Sequence, residues 1–368
     1  MRFLLITETL RIGGIERNTL DQAYQLIDRG DEVIVLVLDY SATFKNVNFL
    51  KIENNLIVEK KLDIRYSDKG IVNQISCIAN ILREVSFDVI IDYTLSGTLK
   101  VRFASLYARR RAVIHTVVQQ LTSLSSKKQK YKRFFYAQFS TRLFMNSVNY
   151  GRDWDFYKKS SIFSSLVFRK KYGIIRNGVY LPRLEVSYQG IHRENSENLR
   201  LIFLGRLKIW KGLNNFAKID NALKNNVNFL VLASEKDDEV VKNLTSKFGN
   251  RIEFIFGNTL RDFIPTEGDI HFYPVDYGDN AHAIESVSTN CLEMALLGVP
   301  SIVTQGGVSN WMELRALGLI HEINWENEES ILDGIDNCRK VQISSTEFKS
   351  LADAINIESN LRAHSKHL

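Results

Sequence analysis

Two carboxylates separated by seven residues, Glu285 and Glu293, bracket the small polar run in AIESVSTNCLEMALLGVPSIV (283–303). Ionised carboxylates accept hydrogen bonds from hydroxyl groups, and the unpaired amides at a helix start attract anions. Together they could hold a ligand that carries both sugar hydroxyls and phosphate. Val287, Ser288 and Thr289 would supply those amides. A plainer reading competes for part of the motif: Asn290 as an N-cap with Glu293 at the third helical position makes a capping box. Glu285 precedes that helix and has no part in such a cap.

A second candidate is FLGRLKIWKG (203–212), where Arg206 and Lys211 lie five positions apart between Gly205 and Gly212. A guanidinium forks onto phosphate oxygens while an ammonium adds a mobile point charge. The first half of the chain offers TLRIGGIERN, in which Gly13 and Gly14 allow a ligand close to the backbone before a helix start. This is not the GxGxxG fingerprint, so nicotinamide dinucleotide is poorly supported. His115, beside Val113 and Ile114, could be a core histidine or a site residue. DWD at 153–155 resembles a metal-binding DxD, but NYGR before it and FYKK after it suit a surface helix start.

Charge is unevenly spread. The chain carries +6 overall, yet residues 101–180 hold 17 Lys or Arg against only Asp153 and Asp155. An excess of this size implies an anionic partner. Within it, SSKKQKYKRFFYAQF (125–139) interleaves Lys127, Lys128, Lys130, Lys132 and Arg133 with Tyr131, Phe134, Phe135 and Tyr136. Such a segment could lie on an anionic bilayer, or be a helix with its aromatics turned inward and its lysines solvated. Nucleic acid is another possible partner, but no RNA- or DNA-reading motif accompanies the patch.

The elements that must position these groups follow from patterning. A chain of 368 residues has room for about two domains. FLLIT, DEVIVLVLD, FDVIIDY, AVIHTVV and RLFMNSV read as strands, alternating with helical stretches such as IERNTLDQAYQLIDRG, which Gly30 is placed to end. The alternation pauses over a polar linker, 181–198, and then resumes through LRLIFLGR, VNFLVLAS, RIEFIFG, GDIHFYPV and PSIVTQ. Near-continuous apolar strands suit parallel sheets covered on both faces. The expected organisation is an N-terminal domain at 1–180, a second domain at 199–345, and a C-terminal helix at 346–368 that could pack back on the first. No run is long enough to span a membrane, no secretory leader is expected, and Cys77, Cys291 and Cys338 form no CxxC pair. Reduced thiols and a cytoplasmic location are the corresponding expectation.

GGIER, AVIHTVV, IIRNGV, GRLKIWKG and ESVSTNCLEMALLGVP occur in the order found in retaining nucleotide-sugar glycosyltransferases of the GT-B fold, family 4, which the chain resembles over nearly its whole length. The resemblance implies an α/β architecture of two Rossmann-like, doubly wound domains facing across a cleft. It implies that Arg206 and Lys211 hold the donor diphosphate, Glu293 the ribose, and Glu285 the donor sugar. The amides of Val287 to Thr289 would support sugar and phosphate, with Gly13 and Gly14 lining the first domain's side. His115 would match a family histidine at a strand's end that meets the donor sugar. Family members need no metal ion, so the nucleotide-sugar, UDP- or GDP-linked, is a substrate and no cofactor is implied. The acceptor implied is a glycan or lipid-linked glycan at the inner face of the cell membrane, in bacterial surface polysaccharide synthesis. Two departures stand out: Ser286 and Val287 replace the glycine that usually follows the first glutamate, and PVDYGDNAHA (274–283) is longer than the usual turn. A nucleotide-sugar-binding protein without transfer activity, or a hydrolysing epimerase of the same fold, is the alternative.

Overall fold

The computed structural model describes residues 1–10, 14–39, 55–94, 96–118, 139–146, 172–175, 178–184, 191–192, 199–208, 211–233, 236–257, 260, 263–275, 289–304, 312–358 and 361. They form two compact units, one of Met1–Tyr180 with Ile357–Leu368, the other of Leu181–Asn356.

Unit one is a parallel sheet of seven strands: β1 (Arg2–Thr7), β2 (Glu32–Val37), β3 (Asp63–Tyr66), β4 (Val89–Asp92), β5 (Ile114–Val118), β6 (Arg142–Asn146) and β7 (Tyr172–Ile175). They lie in the order β3-β2-β1-β4-β5-β6-β7. Side chains alternate across a strand, so β1 and β2 feed two cores. Phe3, Leu5, Val33, Val35 and Val37 face α1 (Gly14–Asp28), which contributes Leu20, Ala23, Tyr24 and Leu26. Leu4, Ile6, Ile34 and Leu36 face α2 (Ile71–Glu84) and α3 (Ser96–Ala108), which contribute Ile78, Ile81, Leu82, Val101 and Ala104. Each such side chain, fully buried, stabilises the unit by about 1.5–3 kcal/mol, which is why strands this apolar settle in the interior of a doubly covered sheet. Gly30, at φ 82°, turns the chain out of α1 into β2.

The chain leaves unit one after Tyr180, whose hydroxyl donates to Asp28 Oδ2 at 2.6 Å. It returns at Ile357, whose amide donates to Val179 O at 3.0 Å. A Cβ on Gly178 would stand 2.7 Å from Ile357 Cα, so only glycine lets the two segments meet.

In unit two, β8 (Ile191–His192) falls within the polar run read as a linker and pairs antiparallel with β15 (Gln342–Ile343). The main sheet holds β9 (Arg200–Leu204), β10 (Asn228–Ala233), β11 (Ile252–Phe256), β12 (Asp269–Tyr273), β13 (Ser301–Thr304) and β14 (Ile320–Ile323). All are parallel, in the order β11-β10-β9-β12-β13-β14. Helices α4 (Asn215–Ala222), α5 (Asp238–Phe248), α6 (Thr289–Leu296), α7 (Met312–Ala316), α8 (Glu328–Arg339) and α9 (Ser345–Ile355) connect the strands and follow them. One core packs around Phe216, whose ring meets Phe272 edge-on at 4.7 Å while Phe272 meets Trp325 at 5.3 Å. Asp237 and Asn327 cap α5 and α8, and Ser344 with Glu347 forms a capping box on α9. Among the described residues no helix is long and apolar enough to cross a membrane.

Candidate functional site

In a doubly wound sheet, ligands bind where two neighbouring strands send their connections in opposite directions. In unit two those strands are β9 and β12: β9 leads to β10 on one side and β12 to β13 on the other. Arg206 and Lys211 follow the carboxyl end of β9, and α6 begins in the connection after β12.

Several contacts fix this loop. Asn290 Nδ2 donates to Leu204 O at 2.7 Å, tying the first turn of α6 to the last residue of β9. Lys211 Nζ donates to the Tyr273 hydroxyl at 3.0 Å and sits 5.2 Å from the ring centroid, at the end of β12. Asn215 Nδ2 donates to Pro274 O at 3.1 Å. Gly212, at φ 77°, lies so close to the same carbonyl that an added Cβ would stand 1.6 Å from its oxygen. Arg206 is exposed to solvent and Lys211 partly so. The arrangement brings a free-standing guanidinium, an ammonium and the start of a helix to one end of one strand pair, which suits an anion with several oxygens.

Glu293 lies one turn into α6 and has no accessible surface. Its Oε1 accepts a hydrogen bond from Arg183 Nη2 at 2.5 Å, and the Arg183 side chain is itself only 10% exposed. The capping-box reading gives way here: Thr289 is already helical, Asn290 is the second residue of α6 and donates to β9, and Glu293 is paired with Arg183. Thr289 is buried at the helix start. Glu285, Val287 and Ser288 lie outside the described residues.

In unit one, His115 is the second residue of the five-residue strand β5, not its end, and is fully buried with its ring 5.2 Å from Phe144. Burial, with the neighbouring Arg142 adding, holds its imidazole pKa down at about 4. It is neutral at ordinary pH and has the surroundings of a core histidine, one of the two readings its sequence neighbours allow. Gly14 opens α1, while Gly13 lies outside the described residues.

Where β1 and β4 part in unit one, the structure shows a polar cluster that patterning missed. Buried Asp92 accepts from Thr94 N at 2.9 Å, Thr94 Oγ1 at 2.8 Å and Thr98 Oγ1 at 2.5 Å. Thr98 also meets Thr116 at 2.7 Å. Burial raises the Asp92 carboxyl pKa, and these donors oppose that shift. The signal in the sequence is DYTLSGT, an acidic residue at a strand's end followed by hydroxyl residues. Arg183, Tyr273 and Asn290 carry no such signal, because only the fold brings them to the site.

Lys127, Lys128, Lys130, Lys132, Arg133, Phe134 and Phe135 lie outside the described residues, as does DWD at 153–155. Among the described residues no three His, Cys, Asp or Glu side chains are grouped as metal ligands.

Neither a family model nor a curated protein sequence matches the chain. Solved structures do. HepE from Anabaena in complex with UDP is 17% identical, with a TM-score of 0.69, covering 100% of this chain and 99% of that one. The same protein in complex with UDP and glucose aligns with a TM-score of 0.67 at 16% identity, again over 100% and 99%. A glycosyltransferase from Rickettsia africae aligns with a TM-score of 0.69 at 13% identity, over 99% of this chain and 97% of that one. These likenesses establish the architecture: two Rossmann-like units, as in the GT-B fold.

Proposed function

We propose that the chain is a retaining glycosyltransferase that moves a sugar from a nucleotide-sugar to a glycan or lipid-linked acceptor. The observation that carries this reading is the junction of β9 and β12. There Arg206 and Lys211 stand beside the helix that begins in the ESVSTNCLE motif, with Asn290 and Tyr273 holding the two parts together. As the anomeric bond breaks, the departing diphosphate gathers negative charge while the sugar becomes oxocarbenium-like. Cations and amides already aimed at that diphosphate stabilise the leaving group, usually the largest single contribution to catalysis. Arg206 and Lys211 take the diphosphate and Glu293 the ribose. Glu285, Val287, Ser288 and Thr289 take the sugar and its phosphate, and Gly13 and Gly14 bring backbone close to the donor. Arg206 and Lys211 supply the positive charge that a metal ion supplies elsewhere.

A UDP- or GDP-sugar fits these groups. The UDP, UDP-glucose and glucose complexes of HepE support the uridine form. The basic, aromatic segment 125–139 supports an acceptor reached at an anionic membrane face on the cytoplasmic side, and surface polysaccharide synthesis is the corresponding process. The burial of His115 favours one second reading, a nucleotide-sugar-binding protein without transfer, because one of the residues implicated in transfer stands inside the sheet.

The test is calorimetric titration of UDP, GDP, ADP and their sugar conjugates without metal, on the wild type and Arg206→Ala. Binding of one nucleotide, weakened at least about tenfold in the variant, supports the donor site. If nothing binds, the proposal fails; if a nucleotide-sugar binds and no acceptor preparation yields transfer, the second reading stands.

A further inference from the structure

Arg183 comes from the short 3-10 turn Leu181–Arg183, and Glu293 from α6, 110 positions later. The turn is pinned by the buried side chain of Leu184, whose amide donates to Leu181 O at 2.9 Å. Arg183 is therefore held in place by the fold and fixes the direction of the Glu293 side chain at the start of α6.

We propose that Arg183 is a positioning residue for donor recognition: its guanidinium holds the Glu293 side chain in one orientation, so that the carboxylate is placed to accept hydrogen bonds from ribose hydroxyls. The inference rests on the donor-site reading above. Arg183 itself does not touch the reacting atoms. A guanidinium suits this place better than an ammonium, because its planar fork fixes the direction of the bond as well as its charge. The pair is also too buried to be an ordinary surface ion pair, whose geometry would be soft and whose effect on a ligand would be small.

The experiment compares each nucleoside diphosphate (UDP, GDP, ADP) with its 2′-deoxy form by calorimetry, on the wild type, Arg183→Met, Arg183→Lys and Glu293→Gln. The wild type is expected to prefer the ribose form of one nucleotide by about tenfold or more, the range for a site built around a hydroxyl. Arg183→Met should weaken the ribose form and leave the deoxy form nearly unchanged, bringing the ratio towards one, as Glu293→Gln does. Arg183→Lys should restore an intermediate ratio. A Met variant that keeps the wild-type ratio, or weakens both forms equally, overturns the inference and leaves Arg183 a purely structural partner. If the Met variant does not fold, the Lys variant decides: a wild-type ratio there overturns the inference and an intermediate one supports it. Failure of the wild type to bind any nucleotide would instead overturn the donor-site reading on which the inference stands.

Discussion

Gly212 and Pro274 are packed backbone to backbone: a Cβ on residue 212 would stand 1.6 Å from the Pro274 carbonyl oxygen, and the glycine sits at φ 77°. This contact, with Asn215 reaching the same carbonyl, sets the loop that carries Lys211 against the end of β12. Gly212→Ala has neither the conformation nor the space, so its stability should fall by at least about 2 kcal/mol in urea unfolding. A variant as stable as the wild type would show that the two segments do not meet this closely.

Lys211 separates packing from charge. Lys211→Met keeps an apolar stem over the Tyr273 ring and removes the ammonium that donates to its hydroxyl. Unfolding should change little, while nucleoside diphosphate affinity falls by about tenfold and loses part of its salt dependence. Equal affinities for variant and wild type would remove Lys211 from the donor site.

Arg200 and Asp269 bind the two strands that flank the site. The guanidinium donates to both carboxylate oxygens, at 2.7 and 2.8 Å, and Asp269 is fully buried and also accepts from Thr266 N at 2.7 Å. The Arg200 side chain is 30% exposed, so solvent screens part of the charge that Asp269→Asn leaves behind, and the cost should be about 2 kcal/mol in urea unfolding. A cost below about 1 kcal/mol would mean that solvent screens the pair as it does a surface one.

What can be read in the sequence is what local pattern controls. FLLIT and DEVIVLVLD show themselves as strands because burial on both faces demands an unbroken apolar run. DIRY of β3 does not, because a strand at the sheet edge is only partly buried and keeps charged residues. IHEI of β14 is hidden for the same reason, also lying at an edge. The loop of Arg206 and Lys211 is legible because the cations, the glycines and the strand before them are contiguous. The pairing of Arg183 with Glu293 is not, since no spacing rule links residues so far apart. His115 shows the limit within a single strand. AVIHTVV announces β5, but the partners Ile91 and Arg142 in the neighbouring strands decide that the histidine stands near its start and not its end.

That position makes His115 an acid-sensitive part of the core. Its pKa is held near 4 in the folded chain, against an ordinary 6.5, because burial penalises the charged ring. Between those values the unfolded chain binds a proton that the folded chain does not, so this contribution is present above pH 6.5 and is lost as pH falls towards 4. His271, also buried and held at about 3 with Nδ1 2.9 Å from Ser301 Oγ, acts in the same direction. Replacing His115 by Met removes its titration and leaves that of His271 in place. Urea unfolding of the wild type and His115→Met at pH 6.5 and pH 5 should show a smaller loss in the variant, by about 1.5 kcal/mol. Nucleoside diphosphate affinity at pH 7 should be the same for both. Parallel stability losses would mean that the ring is reached by solvent, and a weakened affinity would place His115 at the donor site.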